Sequence, residues 1–497
     1  MNAPKVDTSP KVSDEIRKTT CYMCACRCGI NVHMKDGQVA YIEGNKDHPV
    51  NKGVLCAKGA SGIMQHLSPA RLRAPLKRVG PRGSGEFQEI SWEEALETAV
   101  SWLAPLREKD PSQLAFFTGR DQSQSFTSYW AQSYGTPNYA AHGGFCSVNM
   151  ATAGIYTMGG AFWEFGQPDW DRTKMLMLFG VAEDHDSNPI KIGIGKMKGR
   201  GARVVSVNPI RTGYNAVADD WIGITPGTDG LFILSLVHCL LKAGKIDVEY
   251  LARYTDASSL VNGDESSDEF GLIMRDVNGK ALVMDRDSGK PVPFDEPGAK
   301  PDMSKSWRNA GVTHKPVMHH IAEKYLTDEY APETVADRVG ISAERIRAIA
   351  AELARVAFEE AIEIDQEWTD FRGQKHSKMV GRPVSFHAMR GISAHSNGFQ
   401  TCRALHLLQI LLGAVETPGS FRFKPPYPKP YWAHPKPHAT HQPGQPLDGP
   451  HLGFVHGPDD LLINTDNPFV NDKTSAKRID KAFSWEHPMS AHGLMHM

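Results

Sequence analysis

The sequence predicts a multidomain α/β fold: a small N-terminal antiparallel β subdomain, followed by α/β domains built on parallel sheets. Three observations predict it. The chain has 497 residues, and single cores rarely grow beyond about 250–300 residues, so roughly two to four domains are expected. Up to about Leu76, short strand-like runs alternate without helical period. Further on, Met175 to Phe179 is an apolar run, Pro189 to Lys198 has helical period, and Arg203 to Val207 is a second apolar run. Strand, helix, strand at that spacing is a βαβ unit, which implies parallel pairing.

The N-terminal subdomain opens on a cysteine loop. Cys21, Cys24, Cys28 and Cys56 follow the pattern C-x2-C-x3-C-x27-C. Three thiolates on a tight loop and a fourth returned by a hairpin can take the four corners of an iron-sulfur cubane. Zinc is the rival, although four-cysteine zinc sites usually come as two C-x2-C pairs. Cys26 lies inside the same loop. Three alternating cysteines in an extended stretch cannot all face one centre, so Cys26 is read as a non-ligand; its replacing Cys24 or Cys28 is the alternative. Lys58 stands two residues past the fourth cysteine, where its charge would offset the cluster or contact an anionic cofactor. Its other reading is a solvated surface lysine.

Ala40-Tyr41-Ile42-Glu43-Gly44 reads as a strand of this subdomain. Ser91-Trp92-Glu93-Glu94 is a capping box that starts an amphipathic helix over Ala95 to Ala104. In the βαβ unit, ligands belong at the carboxyl ends of the strands. Those ends are the loops Gly180 to Pro189, with Glu183, Asp184 and Asn188, and Asn208 to Tyr214, with Asn208, Arg211 and Thr212. Pro226-Gly227-Thr228-Asp229-Gly230 precedes an apolar helix, Leu231 to Leu241, and is either a simple cap or an anion site at a helix N-terminus. No G-x-G-x-x-G follows a strand, so a nicotinamide site is not supported.

Residues 256–305 are polar with two hairpin signals, Asn278-Gly279 and Asp287-Ser288-Gly289, and read as a surface insertion. Ser342 caps a helix from Ala343 to about Ala357. Arg390 to Gly398 precedes an apolar helix, Ala404 to Leu412. Nine prolines between Lys424 and His451 forbid a helix or central strand there.

Composition excludes some functions. The formal net charge is −2 and basic residues are interspersed with acidic ones, which does not suit a nucleic-acid partner. No apolar run reaches 18 residues, so no direct membrane span is expected. Met1 to Thr20 carry neither an apolar leader core nor a twin-arginine pair, and the eight cysteines do not form a disulfide framework. A cytoplasmic chain is the expectation.

Several motifs fall in one order: the cysteine loop with Cys56-Ala57-Lys58-Gly59, the Arg71 to Gly80 stretch, Asn208-Pro209 with Arg211, Pro226 to Asp229, and His395-Ser396-Asn397-Gly398. Together, from about Thr19 to Gly419, they resemble catalytic subunits of the molybdopterin oxidoreductase family, DMSO reductase type. The resemblance implies a molybdenum (or tungsten) ion held by two molybdopterin guanine dinucleotides, with one 4Fe-4S cluster carrying electrons. It makes Lys58 a residue between cluster and pterin, and makes the strand-end loops dinucleotide-binding. The cofactor contacts it implies are Lys58, Glu183, Asn188, Asn208, Arg211, Thr212, Gly227, Thr228, Asp229, Asn397 and Gly398.

The family also expects one side-chain ligand to the metal ahead of the first βαβ unit. Cys146 fits: it follows Gly143-Gly144-Phe145, where glycines let backbone approach a cofactor, and a thiolate suits a soft metal. A buried structural cysteine is the other reading. His142, Arg120 and His395 are candidates to hold an oxyanion. Formate dehydrogenases of the family usually follow the metal ligand with histidine, whereas Ser147 stands here. The stretches Gly180 to Pro189 and Phe145 to Met150 are most similar to the family's cytoplasmic sulfite dehydrogenases. Sulfite would then be oxidised to sulfate, with electrons leaving through a ferredoxin-like iron-sulfur subunit to a membrane quinone-linked subunit, placing the chain at the inner face of the membrane. Alternatives within the family are thiosulfate, polysulfide or arsenic-oxyanion reduction and formate oxidation.

By that resemblance the domains are 17–76 for the cluster, 77–170 with 385–497 for a first, incomplete α/β domain, and 171–384 for an inserted pterin-dinucleotide domain. The family continues into a C-terminal barrel domain, which is expected to be absent because the chain stops at Met497. A fragment or half of a split subunit is therefore expected, inactive alone on one reading. The alternative of another class is a non-catalytic iron-sulfur electron-transfer or scaffold chain.

Overall fold

The structure, a computed structural model, describes residues 13–24, 26–119, 124–140, 148–159, 167–181, 188–211, 213–371, 373–388, 390–422, 442–445, 483–484 and 487–488. The chain divides into two compact units, residues 1–148 with 182–193 and 427–497, and residues 149–181 with 194–426.

In the first unit, β1 (Glu15–Thr20), β2 (Gly29–Lys35) and β3 (Gln38–Gly44) form an antiparallel sheet in that order. β2 and β3 are joined by the Asp36-Gly37 turn, with φ of 51° and 74°; positive φ at both central residues matches the twist of the flanking strands. Two short helices, Ala57–Ala60 and Gly62–Leu67, pack on β3. A small hairpin, β4 (Leu76–Arg78) with β5 (Phe87–Glu89), leads into α1 (Trp92–Lys109). The Ser91 side chain accepts a hydrogen bond from Glu94 N, as the capping box predicts. No residue of α1 is buried, and Trp92, Leu96, Val100 and Trp102 are exposed.

The second unit contains α2 (Val148–Met158), β6 (Met175–Phe179), the later part of α3 (Asn188–Gly199), β7 (Arg203–Val207), β8 (Asp220–Ile222), α4 (Asp229–Lys242), α5 (Ala343–Ala354), β9 (Val384–Ala388) and α6 (Gly398–Leu411). Its central sheet has the order β8-β7-β6-β9, all parallel, with Met175 opposite Arg203 and Val384, and Phe179 opposite Val207 and Ala388. β6 and β9 are buried at every position, as unbroken apolar runs between two packed faces should be. One face, through Met175, Met177, Phe179, Val205, Val384 and Phe386, joins Phe232 and Leu236 of α4, Leu405 and Leu408 of α6 and Ile346 and Leu353 of α5 in a single core.

β9 is the fourth strand of this sheet, its apolar run pairing parallel with β6. Two expectations are corrected. α6 starts at Gly398 rather than Ala404. α5 ends at Ala354 and a five-residue π-helical turn, Arg355–Glu359, continues it. Within the polar stretch 256–305, Leu282–Met284 pairs antiparallel with Pro291–Pro293 around the turn containing Asp287-Ser288-Gly289. Most of the proline-rich stretch lies outside the described residues, as does most of the chain beyond it.

Candidate functional site

The cluster cysteines are brought together by the β1–β2 hairpin. Thr20 pairs with Gly29 at its mouth, so Cys21 and Cys28 flank the last pair and Cys21 N donates to Cys28 O at 2.8 Å. Cys56 precedes the helix Ala57–Ala60. Cys21, Cys28 and Cys56 are buried and Cys24 is half-buried. Burial pushes the Cys21 thiol above its ordinary range; a hydrogen bond with the Met23 backbone opposes this, the Cys24 and Cys56 sulfurs add to it, and Lys58 opposes it. Cys21 therefore lies in the electrostatic reach of Cys24, Cys56 and Lys58. Thiolates within one another's electrostatic reach repel until a metal core takes up their charge, so this soft donor set fits an iron-sulfur cluster. Among the described residues no three His, Cys, Asp or Glu groups gather as holders of a single metal ion; cubane ligands need not, since each binds its own iron.

Cys26 is half-buried and packs against the cluster of Cys21, Cys28 and Ile30. The loop is not extended, because Arg27 takes the left-handed conformation at φ 51°, so simple alternation does not describe where its side chains point. Gly59 lets the helix approach the loop: a Cβ there would meet Leu55 Cδ1 at 2.4 Å and Cys21 Sγ at 3.5 Å. Asn51, which sequence reasoning missed, is fully buried. It accepts from Gly29 N at 2.8 Å and donates to Gly29 O and Val54 O at 3.0 and 2.9 Å, tying the strand after Cys28 to the loop before Cys56. An asparagine in the long spacer was the only signal.

In the second unit the strand order is third, second, first, fourth, so the topological switch point lies between β6 and β9, where doubly wound sheets bind nucleotides. The two strand ends touch there: a Cβ on Gly391 would stand 2.3 Å from Gly180 O. Two predicted motifs also meet, since Asn397 Nδ2 donates to Gly227 O at 3.0 Å. Gly227 has φ 80°, and Gly230 lets α4 cross α6 closely, a Cβ there meeting Thr401 Oγ1 at 2.8 Å.

Neither helix is capped by its own side chain. Thr228 Oγ1 turns back to Thr225 O at 2.7 Å and Asn397 is spent on Gly227. First-turn N–H groups left this way favour an anion such as a pyrophosphate. The residues present thus fit a dinucleotide. Asp229, in the first turn of α4, is buried, and burial raises its carboxyl pKa against a hydrogen bond with its own backbone and the nearby His395.

The remaining candidates are spread more widely. Asn208, at the end of β7, accepts from Ile210 N at 3.3 Å through Oδ1 and from Trp221 Nε1 at 2.9 Å through its carbonyl. The Arg211 guanidinium lies 5.8 Å from the Trp221 ring centre. Asn188 opens α3. His395 is exposed and its Nε2 donates to Gly391 O at 2.8 Å, which leaves Nδ1 as its other ring nitrogen. Arg120, His142, Cys146, Glu183 and Thr212 lie outside the described residues. No helix among the described residues is long and apolar enough to cross a membrane.

Comparison with known proteins gives the family of both regions. Residues 14–67 match the molybdopterin oxidoreductase Fe4S4 domain, and residues 71–482 match the molybdopterin oxidoreductase domain. The chain is 50% identical over 498 residues to a sulfite dehydrogenase subunit of Allochromatium vinosum, covering 97% of this chain and 50% of that protein. It is 30% identical over 274 residues to the thiosulfate reductase molybdopterin-containing subunit of Salmonella typhimurium, covering 53% of this chain and 35% of that protein. The fold is similar to that of acetylene hydratase from Pelobacter acetylenicus, with a TM-score of 0.54 at 18% identity over 80% of this chain and 43% of that one. The chain spans about half the length, or less, of these relatives. The two domain matches indicate a 4Fe-4S cluster and a molybdopterin cofactor. By these two domain matches and the identity sustained over nearly its whole length, the chain belongs to the molybdopterin oxidoreductase family.

Proposed function

We propose that the chain serves a molybdenum- or tungsten-dependent enzyme that oxidises sulfite to sulfate, using two molybdopterin guanine dinucleotides and one 4Fe-4S cluster. The observation that carries this reading is the 50% identity to the sulfite dehydrogenase of Allochromatium vinosum, sustained over 97% of the chain. The bound metal centre supplies oxygen-atom transfer and takes up two electrons. The chain's own residues bind and orient. Cys21, Cys24, Cys28 and Cys56 hold the cluster, Lys58 offsets its charge, and Cys146 is the side-chain ligand to the metal. The N-termini of α4 and α6, with Gly227, Thr228, Asp229, Asn397 and Gly398, receive one dinucleotide, and the ends of β6 and β7 contribute Glu183, Asn188, Asn208, Arg211 and Thr212. Arg120, His142 and His395 are offered to the oxyanion; His395 presents Nδ1, which donates only when the ring is protonated. Electrons leave to a ferredoxin-like subunit and then to a membrane quinone-linked partner, on the cytoplasmic side.

Metal and nucleotide analysis of the purified chain tests the cofactor reading. About four iron, one molybdenum and two guanine nucleotides per chain support it; iron without molybdenum supports an electron-transfer or scaffold chain instead. Sulfite-dependent reduction of an artificial acceptor, with formate in parallel, then tests the substrate. The thiosulfate reductase match over 53% of the chain favours thiosulfate reduction as the second reading, so reduction of thiosulfate with no sulfite oxidation would replace the first.

A further inference from the structure

The first unit folds with apolar faces uncovered. α1 has 18 residues, yet none of them is buried. Trp92, Leu96 and Val100, spaced to share one face, are 66%, 62% and 61% exposed. A helix draws most of its stability from packing such a face, so this one lacks its partner. Next along the chain, Phe116–Phe117 and Tyr139–Ala140 pair in parallel, and among the described residues neither strand has another neighbour. The helix Gln124–Tyr134 connects them, and Phe116 packs on Trp130 with ring centres 5.1 Å apart. Phe117 alternates to the opposite face of the pair and is 62% exposed. Parallel strands are ordinarily covered on both faces, as β6 and β9 are, and two strands of two residues do not make a stable sheet by themselves. Between Ile16 and Tyr139 the core among the described residues is Cys21, Cys28, Ile30, Cys56, Ala131 and Tyr134, half of it cluster cysteines.

We infer that the open face of α1 and the unfinished Phe116–Tyr139 sheet are the seat of a polypeptide corresponding to the half of the Allochromatium vinosum sulfite dehydrogenase subunit that this chain does not match. Two observations choose that occupant. An unfinished parallel sheet calls for further strands with their own N–H and C=O groups, which a polypeptide supplies and a lipid or small molecule does not. The likeness also covers 97% of this chain but 50% of that subunit, so a relative of that length carries as much polypeptide again to lay on the unit. The occupant adds a strand beside the parallel pair and covers Trp92, Leu96, Val100 and Phe117. The inference rests on the family likeness and is independent of sulfite as the substrate.

The test expresses that half of the Allochromatium vinosum subunit beside the tagged full chain, and also joined to the chain by a flexible linker, which removes the need for a separately soluble partner. The two polypeptides should purify as a one-to-one complex. A dye that fluoresces on exposed apolar surface should bind several-fold less to the complex, and to the linked form, than to the chain alone. Leu96→Glu combined with Val100→Glu should weaken the complex about ten-fold and restore dye binding to the linked form, while iron content and urea midpoint of the isolated chain stay unchanged. Val277→Glu, at an exposed residue of the second unit, should alter none of these readings. Equal recovery of the complex by wild type and double variant, or a linked form that binds as much dye as the chain alone, overturns the inference. A lowered urea midpoint of the isolated double variant also overturns it, because an element of this chain would then lie on the face. So does a discrete dimer of the isolated chain that the double variant disperses, because a second copy would then be the occupant. A complex that forms yet turns over no sulfite supports the seat and counts against the substrate reading alone.

Discussion

Asn397 and Gly227 are 170 residues apart in sequence, and the side-chain amide of the first donates to the backbone carbonyl of the second at 3.0 Å. The bond fastens the N-terminus of α6 to that of α4, so two dipole ends face one place.

Asn397→Ala should therefore loosen the dinucleotide end more than the fold. The expected stability loss is about 1 kcal/mol, the net value of one exposed hydrogen bond, together with reduced guanine nucleotide on the purified chain at unchanged iron. Equal nucleotide content in variant and wild type would remove Asn397 from the site.

Gly391→Ala probes the closure between the ends of β6 and β9. The added methyl would meet a backbone oxygen, Gly180 O, at 2.3 Å, so it cannot be relieved by a rotamer change. Overpacking of this kind costs about 1–3 kcal/mol, and a lowered urea midpoint should report it. A nearly unchanged midpoint would mean that the strand ends part easily.

For the cluster, Cys21→Ala, Cys28→Ala and Cys56→Ala should each lose most bound iron and the reduced-state paramagnetic signal, whereas Cys26→Ala should keep both. Iron retained by Cys28→Ala but lost by Cys26→Ala would exchange the ligand assignments. Asn51→Ala should lower iron occupancy without removing a ligand, because it frees both Gly29 and Val54 from the loop before Cys56.

Acid should destabilise the second unit through His387. This imidazole is buried, with no hydrogen-bond partner for either nitrogen among the described residues, and burial lowers its pKa from 6.5 to about 4. Below pH 6.5 the unfolded chain binds a proton that the folded chain refuses until about pH 4. Its contribution is thus complete above pH 6.5 and lost as the pH falls through that window. His387→Leu should flatten the dependence of the urea midpoint on pH between 7 and 5; an unaltered slope would place the proton uptake elsewhere.

Elements set by local chemistry were legible in the sequence. Met175–Phe179 and Arg203–Val207 are strands to the residue, since their runs are apolar without interruption and end at Gly180 and Asn208. Ser91 caps α1 because serine and the glutamate at the third helical position suffice to define a start. The beginning of α6 was hidden, because Gly398, Gln400, Thr401 and Arg403 carry no apolar period and only packing against α4 makes the turn helical. In the site, thiol spacing and the Pro226 to Asp229 turn were readable. Asn51 was not, since it acts through Gly29, a partner 22 residues away.

The bare side of α1 governs how this chain behaves as a colloid. Trp92, Leu96 and Val100 recur at every fourth position and are each more than half exposed, while a formal net charge of −2 gives molecules little mutual repulsion. Attraction therefore overtakes repulsion as stock solutions are concentrated. Light scattering should register a negative second virial coefficient near neutrality, rising toward positive values once Leu96 and Val100 are replaced by glutamate.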